Sequence, residues 1–336
     1  MTGTPDPLGW GILATGKIAR SFATDLALVP GSRLAAVGSR SETSARAFAE
    51  AYGDGRTRAH GDYAALVADP AVDVVYVATP HSLHLDGSRA AFRAGKHVLC
   101  EKPLTLRASD AEELVRLARE HDRFLMEAMW TACHPVIRQL RRELASGRFG
   151  TPRHLAAELG FRVDAPPTDR LLAPELGGGA LLDMGVYPLT LAHLLLGEAE
   201  ELRAVGVVTD GGVDLDLAIA GRYPGGAIAS LHASMTSWSS RAAALATDLG
   251  RIELEGDFHH PTAAVFTPVG RPDQRVVLTG EEPVVGRGYG NEIAEVERCV
   301  RAGLRESPLV PHAQTLTVLR QLDALRADLG IRYPDD

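Results

Sequence analysis

The chain has 336 residues, 45% of them hydrophobic, and 35 Lys and Arg against 43 Asp and Glu give a formal net charge of -8. At roughly 100 to 200 residues per domain there is room for two cores, and the acidic balance, without a basic block, excludes a surface built for nucleic acid. Apolar runs such as 74–78 and 194–196 fall far short of the roughly 20 residues that span a bilayer, and no basic stretch precedes an apolar one at the start, so a cytoplasmic protein with no membrane partner is expected.

Short apolar runs at Trp10 to Ala14, Leu34 to Gly38, Val74 to Ala78, His97 to Cys100 and Phe124 to Glu127 read as strands. Helical spacing at Ile18 to Leu26, Glu42 to Ala51, Leu83 to Arg93 and Ser109 to Arg119 separates them. Alternating βαβ units predict an α/β fold, a doubly wound parallel sheet over residues 1–128. From 129 to 336 the pattern changes to one helix, Pro135 to Leu144, followed mostly by alternating strands: His154 to Val163, Leu202 to Val208, Leu215 to Tyr223, Ala227 to Ser234 and Arg251 to Glu255. Helices at Ala180 to Leu196, Asn291 to Arg301 and Ala313 to Leu329 make this second domain α+β, with an open and mainly antiparallel sheet. Cys100, Cys133 and Cys299 are too few and too scattered for a disulfide framework and read as reduced packing residues.

The first strand runs into Ala14-Thr15-Gly16-Lys17-Ile18-Ala19 and then a helix, a partial match to G-x-G-x-x-G/A with alanine in first place. Gly16 stands where backbone must approach a pyrophosphate, whose charge a helix N-terminus favours. An acidic residue at the end of the second strand would bind a ribose 2'-hydroxyl, but this chain has Gly38-Ser39-Arg40-Ser41. Ser39 and Arg40 offer donors and positive charge, which favours NADP(H) over NAD(H).

Polar residues follow two further strand ends, where open α/β sheets bind ligands: Thr79, His81 and His84 after one, Glu101 and Lys102 before Pro103 after the other. In the second domain Gly177-Gly178-Gly179 offers close backbone approach to a ligand. On the helix that follows, Asp183 and Tyr187 are four apart and share a face, with Pro188 kinking or tightening it. A phenol that titrates near 10 serves as an acid or base at neutral pH when a cation such as Lys102 stabilises its anion. His259-His260 is an adjacent pair whose side chains would diverge on a strand, so no metal site is expected.

Together these segments resemble the Gfo/Idh/MocA family of oxidoreductases. The likeness runs from Gly9 to Ala19, through Gly95-Lys96-His97-Val98-Leu99-Cys100-Glu101-Lys102-Pro103, to Gly177 to Tyr187 and the closing Asn291-Glu292-Ile293 helix. Many members carry histidine four residues after the aspartate. Tyr187 in that place is similar to the branch of dihydrodiol dehydrogenases, glucose-fructose oxidoreductases and NADP-linked xylose dehydrogenases, and argues against inositol dehydrogenase. The resemblance implies a Rossmann domain, a C-terminal domain whose open sheet pairs subunits as a homodimer or homotetramer, and a sugar-like small-molecule substrate. It also implies Lys102, Tyr187 and Asp183 as catalytic residues, with Trp130, Phe161 and Arg170 lining the cofactor and sugar pocket and no metal. Two other readings stay open at this point: a glycosidase assisted by its dinucleotide, and a non-catalytic NADP sensor.

Overall fold

The computed structural model describes residues 6–333, which divide into two compact units. One runs up to Cys133 and takes in a second stretch, Val284–Thr315; the other comprises His134–Pro283 and the chain from Leu316 onward. The sequence pattern draws a single boundary at 128/129, whereas the fold returns Val284–Thr315 to the first unit.

The first unit alternates β1 (Leu8–Leu13), α1 (Lys17–Leu26), β2 (Ser32–Gly38), α2 (Glu42–Tyr52), β3 (Arg58–His60), α3 (Tyr63–Ala68), β4 (Val74–Val77), α4 (His84–Arg93), β5 (His97–Glu101), α5 (Ala108–Glu120), β6 (Leu125–Ala128) and α6 (Trp130–Cys133). Its six strands lie in the order β3-β2-β1-β4-β5-β6 and every pairing is parallel. β4 is buried on both faces, which is why it reads as an unbroken apolar run. Because β1 pairs with both β2 and β4, the strand order reverses there, and the turns after β1 and β4 emerge side by side.

The second unit begins with α7 (Pro135–Ala145) and β7 (Pro152–Gly160), passes through a π-helical turn, Leu181–Gly185, into α8 (Val186–Leu196), and continues as β8 (Glu201–Val208), β9 (Asp214–Arg222), β10 (Ile228–Ser234), β11 (Ala243–Thr247), β12 (Gly250–Glu255), β13 (Ala263–Pro268) and β14 (Val276–Leu278). The sheet order is β14-β13-β12-β11-β7-β10-β9-β8, antiparallel except for β7 with β10. By length and composition the 23 residues of Pro174–Leu196, with an 18-residue window of mean hydropathy 1.4, would suffice to cross a membrane, which its short unbroken runs conceal. Since 83% of that window is buried, it is a core segment, apolar on every side. Alternate residues on the open side of the sheet, among them Ala218, Ala220, Ser230 and Val205 (72% exposed), line a depression of about 700 Å³.

The chain then rejoins the first unit with α9 (Tyr289–Arg301) and ends in α10 (His312–Leu329). α9 packs on α1, and buried Asp25 of α1 accepts the N–H groups of Arg287 (2.8 Å), Tyr289 (3.1 Å) and Gly290 (3.4 Å) at its start. All three cysteines are free and buried, as packing residues would be.

Candidate active site

Ala14 leaves β1 with φ at 90°, the left-handed conformation that the missing glycine of the fingerprint would adopt without strain, and its N–H donates to Gly38 O at 2.9 Å. Thr15 and Ile18 are half-buried, and Lys17 is exposed. Gly16 caps α1 with φ at -70°, and a Cβ there would meet no protein atom within 4 Å. Neither backbone strain nor packing therefore requires glycine at 16; what remains is room for a ligand. No side chain caps α1, so its first N–H groups point into that room. On the neighbouring turn after β4, Thr79 Oγ1 is buried without a hydrogen-bond partner among the described residues. The open cradle, the uncapped helix and the orphaned hydroxyl fit the pyrophosphate of a dinucleotide.

At the end of β2, Ser39 is buried, its N–H donates to His60 O (3.1 Å) and its hydroxyl accepts the Ser41 N–H (3.4 Å). Arg40 is exposed and has no carboxylate partner among the described residues. Ser41 caps α2 instead of reaching outward, accepting the Ser44 N–H at 3.4 Å.

Other expected cofactor contacts turn inward. His84 is fully buried, with Nδ1 2.9 Å from Pro103 O and Nε2 3.0 Å from Thr79 O, so it braces the two loops rather than facing a cofactor. His81 is buried with its ring edge-on to His84, the centroids 5.6 Å apart. Glu101 accepts the Tyr76 hydroxyl at 2.5 Å and the Lys102 N–H at 3.3 Å, which holds the Glu-Lys-Pro loop from below while Lys102 stays half-buried at its tip. Beside Glu101 lies Glu292, fully buried; loss of solvation and the charges of Glu101 and Asp25 raise its carboxyl well above the usual range. Trp130 is buried and stacked on Tyr289, centroids 4.4 Å apart, so one face of its ring is covered by protein.

In the second unit the glycine run serves the protein's own packing, contrary to the ligand approach expected of it. Gly177 ends a short 3-10 turn at φ 76°, a Cβ on Gly178 would strike the Leu171 backbone, and Gly179, at φ 128°, lies over the Asp214 carboxylate. Asp183 and Tyr187 also do not share one α-helix. Asp183 sits in the π-helical turn and Tyr187 near the start of α8, so that Pro188, which has no N–H to donate, closely follows the wider turn. Arg170 bonds Asp183, Nη1 to Oδ1 at 3.2 Å, with its own side chain half exposed. Phe161 follows β7, tied through its N–H to Ser234 O at 3.1 Å. Tyr187 is buried with its ring 5.1 Å from that of His259.

His259 and His260 occupy a turn, not a strand, and their ring centroids are 4.5 Å apart, so the expected divergence does not occur. Donor atoms of Asp257, His259 and His260 lie within 4.8 Å of one another. Arg241 bonds the Asp257 carboxylate at 2.9 Å, however, and its positive charge opposes a cation there.

Residues 8–129 match the Gfo/Idh/MocA family described as an oxidoreductase family with an NAD-binding Rossmann fold, and residues 137–257 match a Gfo/Idh/MocA C-terminal domain. Trans-1,2-dihydrobenzene-1,2-diol dehydrogenase of Mus musculus is 33% identical over 98% of this chain and 99% of its own length. The chain belongs to the Gfo/Idh/MocA family. Another relative, D-xylose 1-dehydrogenase (NADP(+)) of Hypocrea jecorina, is 33% identical over 99% of this chain and 95% of its own. Among solved structures, a 3-ketoreductase from Actinomadura kijaniata in complex with NADP and TDP-benzene superposes with a TM-score of 0.85 at 29% identity, covering 96% of this chain and 98% of that one. This Gfo/Idh/MocA protein is accordingly an oxidoreductase with a dinucleotide-binding Rossmann unit, as its resemblance implies. Sequence reasoning passed over Asp214 and Asp257, which stand in a strand and a turn with no motif to mark them, and took Glu292 only as part of the closing helix, without its burial.

Proposed function

We propose that this oxidoreductase is an NADP(H)-dependent dehydrogenase or reductase acting on the hydroxyl or carbonyl carbon of a sugar or related cyclic alcohol. The turn after β1 carries the reading: Gly16 leaves a space that no protein atom needs, at the N-terminus of an uncapped helix. The exposed Arg40 guanidinium at the end of β2, where an acid would reject a 2'-phosphate, favours NADP. The relative from Hypocrea jecorina and the Actinomadura ketoreductase, named for NADP or solved with it, support the same preference.

In this reading the first unit holds the dinucleotide and the second presents the substrate. The nicotinamide, when bound, supplies or takes the hydride. Tyr187 gives its phenolic proton to the substrate oxygen in reduction and recovers it in oxidation. The Lys102 ammonium polarises that oxygen and stabilises the phenolate. Asp183, held by Arg170, orients the substrate. None of these steps calls on a metal. The open sheet face around Val205 pairs subunits into a homodimer or homotetramer in the cytoplasm; a monomer in light scattering would refute the pairing.

Fluorescence titration with NADPH and NADH, followed by a panel of aldoses, ketosugars and diols read at the nicotinamide absorbance, tests the whole proposal. Tyr187→Phe is expected to keep NADPH affinity and lose about 100-fold or more in kcat, the range of a positioned proton donor. Near-normal turnover in that variant removes Tyr187 from the chemistry.

A further inference from the structure

Asp214 opens β9 fully buried, at 0% exposure, and touches neither cofactor nor substrate in the reading above. Its Oδ2 accepts the Leu181 N–H at 2.6 Å, and the backbone of Ala180 also donates to the carboxylate. These are the first residues of the helical run that carries Asp183 and then Tyr187. We infer that Asp214 is a positioning residue: its carboxylate anchors the turn from which Asp183 and Tyr187 are presented, and so sets their placement for turnover. The inference rests on the proposed roles of those two residues.

The anchoring is two-sided. Gly179 crosses directly over the carboxylate at φ 128°, and a side chain there would run into Oδ1, so backbone and acid are fitted to each other. On the other side the Tyr333 hydroxyl donates to Gly178 O at 3.0 Å. Arg326 of α10 lies 4.8 Å from the centroid of the Tyr333 ring, and its charge reaches Asp214. Gly178 N–H and Gly179 N–H are themselves committed to Ala173 O (3.0 Å) and Leu171 O (2.9 Å). The loop before Asp183 therefore has few ways to shift while Asp214 and Tyr333 hold it. Burial outweighs the opposing pull of the donated N–H groups and Arg326 and leaves the Asp214 carboxyl raised to about 6, so at neutral pH the acceptor form prevails.

An ordinary helix cap would lose stability on removal and leave the rate per folded molecule unchanged. A positioning residue would lose rate. The test measures kcat and KM for D-xylose, D-glucose and trans-1,2-cyclohexanediol with NADP+, together with NADPH affinity, in Asp214→Ala, Asp214→Asn, Tyr333→Phe and Tyr187→Phe. Asp214→Ala is expected to lower kcat by about 10- to 100-fold, the penalty of misplacing a reacting group by part of an ångström or more, with NADPH affinity unchanged. Asp214→Asn keeps an acceptor oxygen for the Leu181 N–H and should restore kcat to within about threefold of the parent. A folded Asp214→Ala protein with parental kcat overturns the inference, as does equal impairment of the Ala and Asn variants. Should the alanine variant not fold, Tyr333→Phe decides: a several-fold fall in kcat supports anchoring and a parental kcat overturns it. If Tyr187→Phe turns over normally, the assignment of the reactive residues has failed, which is separate from a failure of Asp214.

Discussion

Gly16→Ala separates a glycine kept for a ligand from one kept for the fold. The added methyl meets no protein atom within 4 Å, and φ at -70° is open to alanine. In the apoprotein two small effects oppose each other: alanine narrows the unfolded ensemble, a gain of about 0.4–1 kcal/mol, and is a poorer N-cap than glycine by about the same amount. The net change should stay within about 0.5 kcal/mol, or roughly 2 °C in Tm. Against a bound pyrophosphate the methyl would occupy the space of close approach, and an increase of at least about tenfold in Kd, 1.4 kcal/mol, is expected for NADPH. Fluorescence titration and a thermal melt on the same preparation read both quantities. An unchanged Kd would mean that no dinucleotide phosphate lies at Gly16, and a marked fall in Tm would mean that the fold itself needs the glycine.

Ala14→Gly should raise apoprotein stability by about 0.5–1 kcal/mol, because relief of left-handed strain of roughly 1–2 kcal/mol outweighs the extra freedom of unfolded glycine; a lower Tm in calorimetry contradicts this. Arg40→Asp should weaken NADPH binding relative to NADH by at least about tenfold, the acid repelling a 2'-phosphate and accepting a ribose hydroxyl, and an unchanged ratio of affinities argues against Arg40 as its partner. His97 is held neutral in the fold, burial and then Arg123 pushing its pKa down from 6.5 to about 4, and its Nδ1 accepts the Phe124 N–H at 3.0 Å. Between those two values the unfolded chain binds the extra proton, so stability should fall as pH drops from about 6.5 toward about 4, and His97→Gln should flatten that slope in urea titrations. An equally steep slope in the variant would place the proton uptake elsewhere.

Strands such as Val74–Val77, sealed on both faces, announce themselves as apolar runs, and most of the alternating architecture follows from them. β3, with Arg58, Ala59 and His60, is a short edge strand half open to water and carries neither an apolar run nor clear alternation; β14, at the other sheet's edge, is apolar throughout but only three residues long. The place of Gly16 between a strand end and a helix start was legible because a motif ties that glycine to such a turn. Gly177, Gly178 and Gly179 were misread because glycines fitted to the protein's own turn, to the Leu171 backbone and to a distant carboxylate look, in one dimension, like glycines cleared for a ligand. Asp214 had no signature, and the closing-helix motif that holds Glu292 says nothing of its burial, since the character of both comes from elements far away in the chain. The π-helical turn escaped notice because Asp183 and Tyr187 keep the four-residue interval of an ordinary helix while the backbone between them does not.

The interrupted first unit bears on how this chain is made. Its final helix, α9, lies more than 150 residues beyond Cys133. A ribosome releases the parallel sheet long before the piece that covers α1 exists, and until then Asp25 has no Arg287, Tyr289 or Gly290 amides to receive. Domains tend to fold as they emerge, but here the nucleotide-binding half must wait for most of the other half to be synthesised. A fragment that stops at Cys133 would leave an ionisable group and an apolar helix face bare in its core, so the unit that comes first in the sequence should be among the last to become stable.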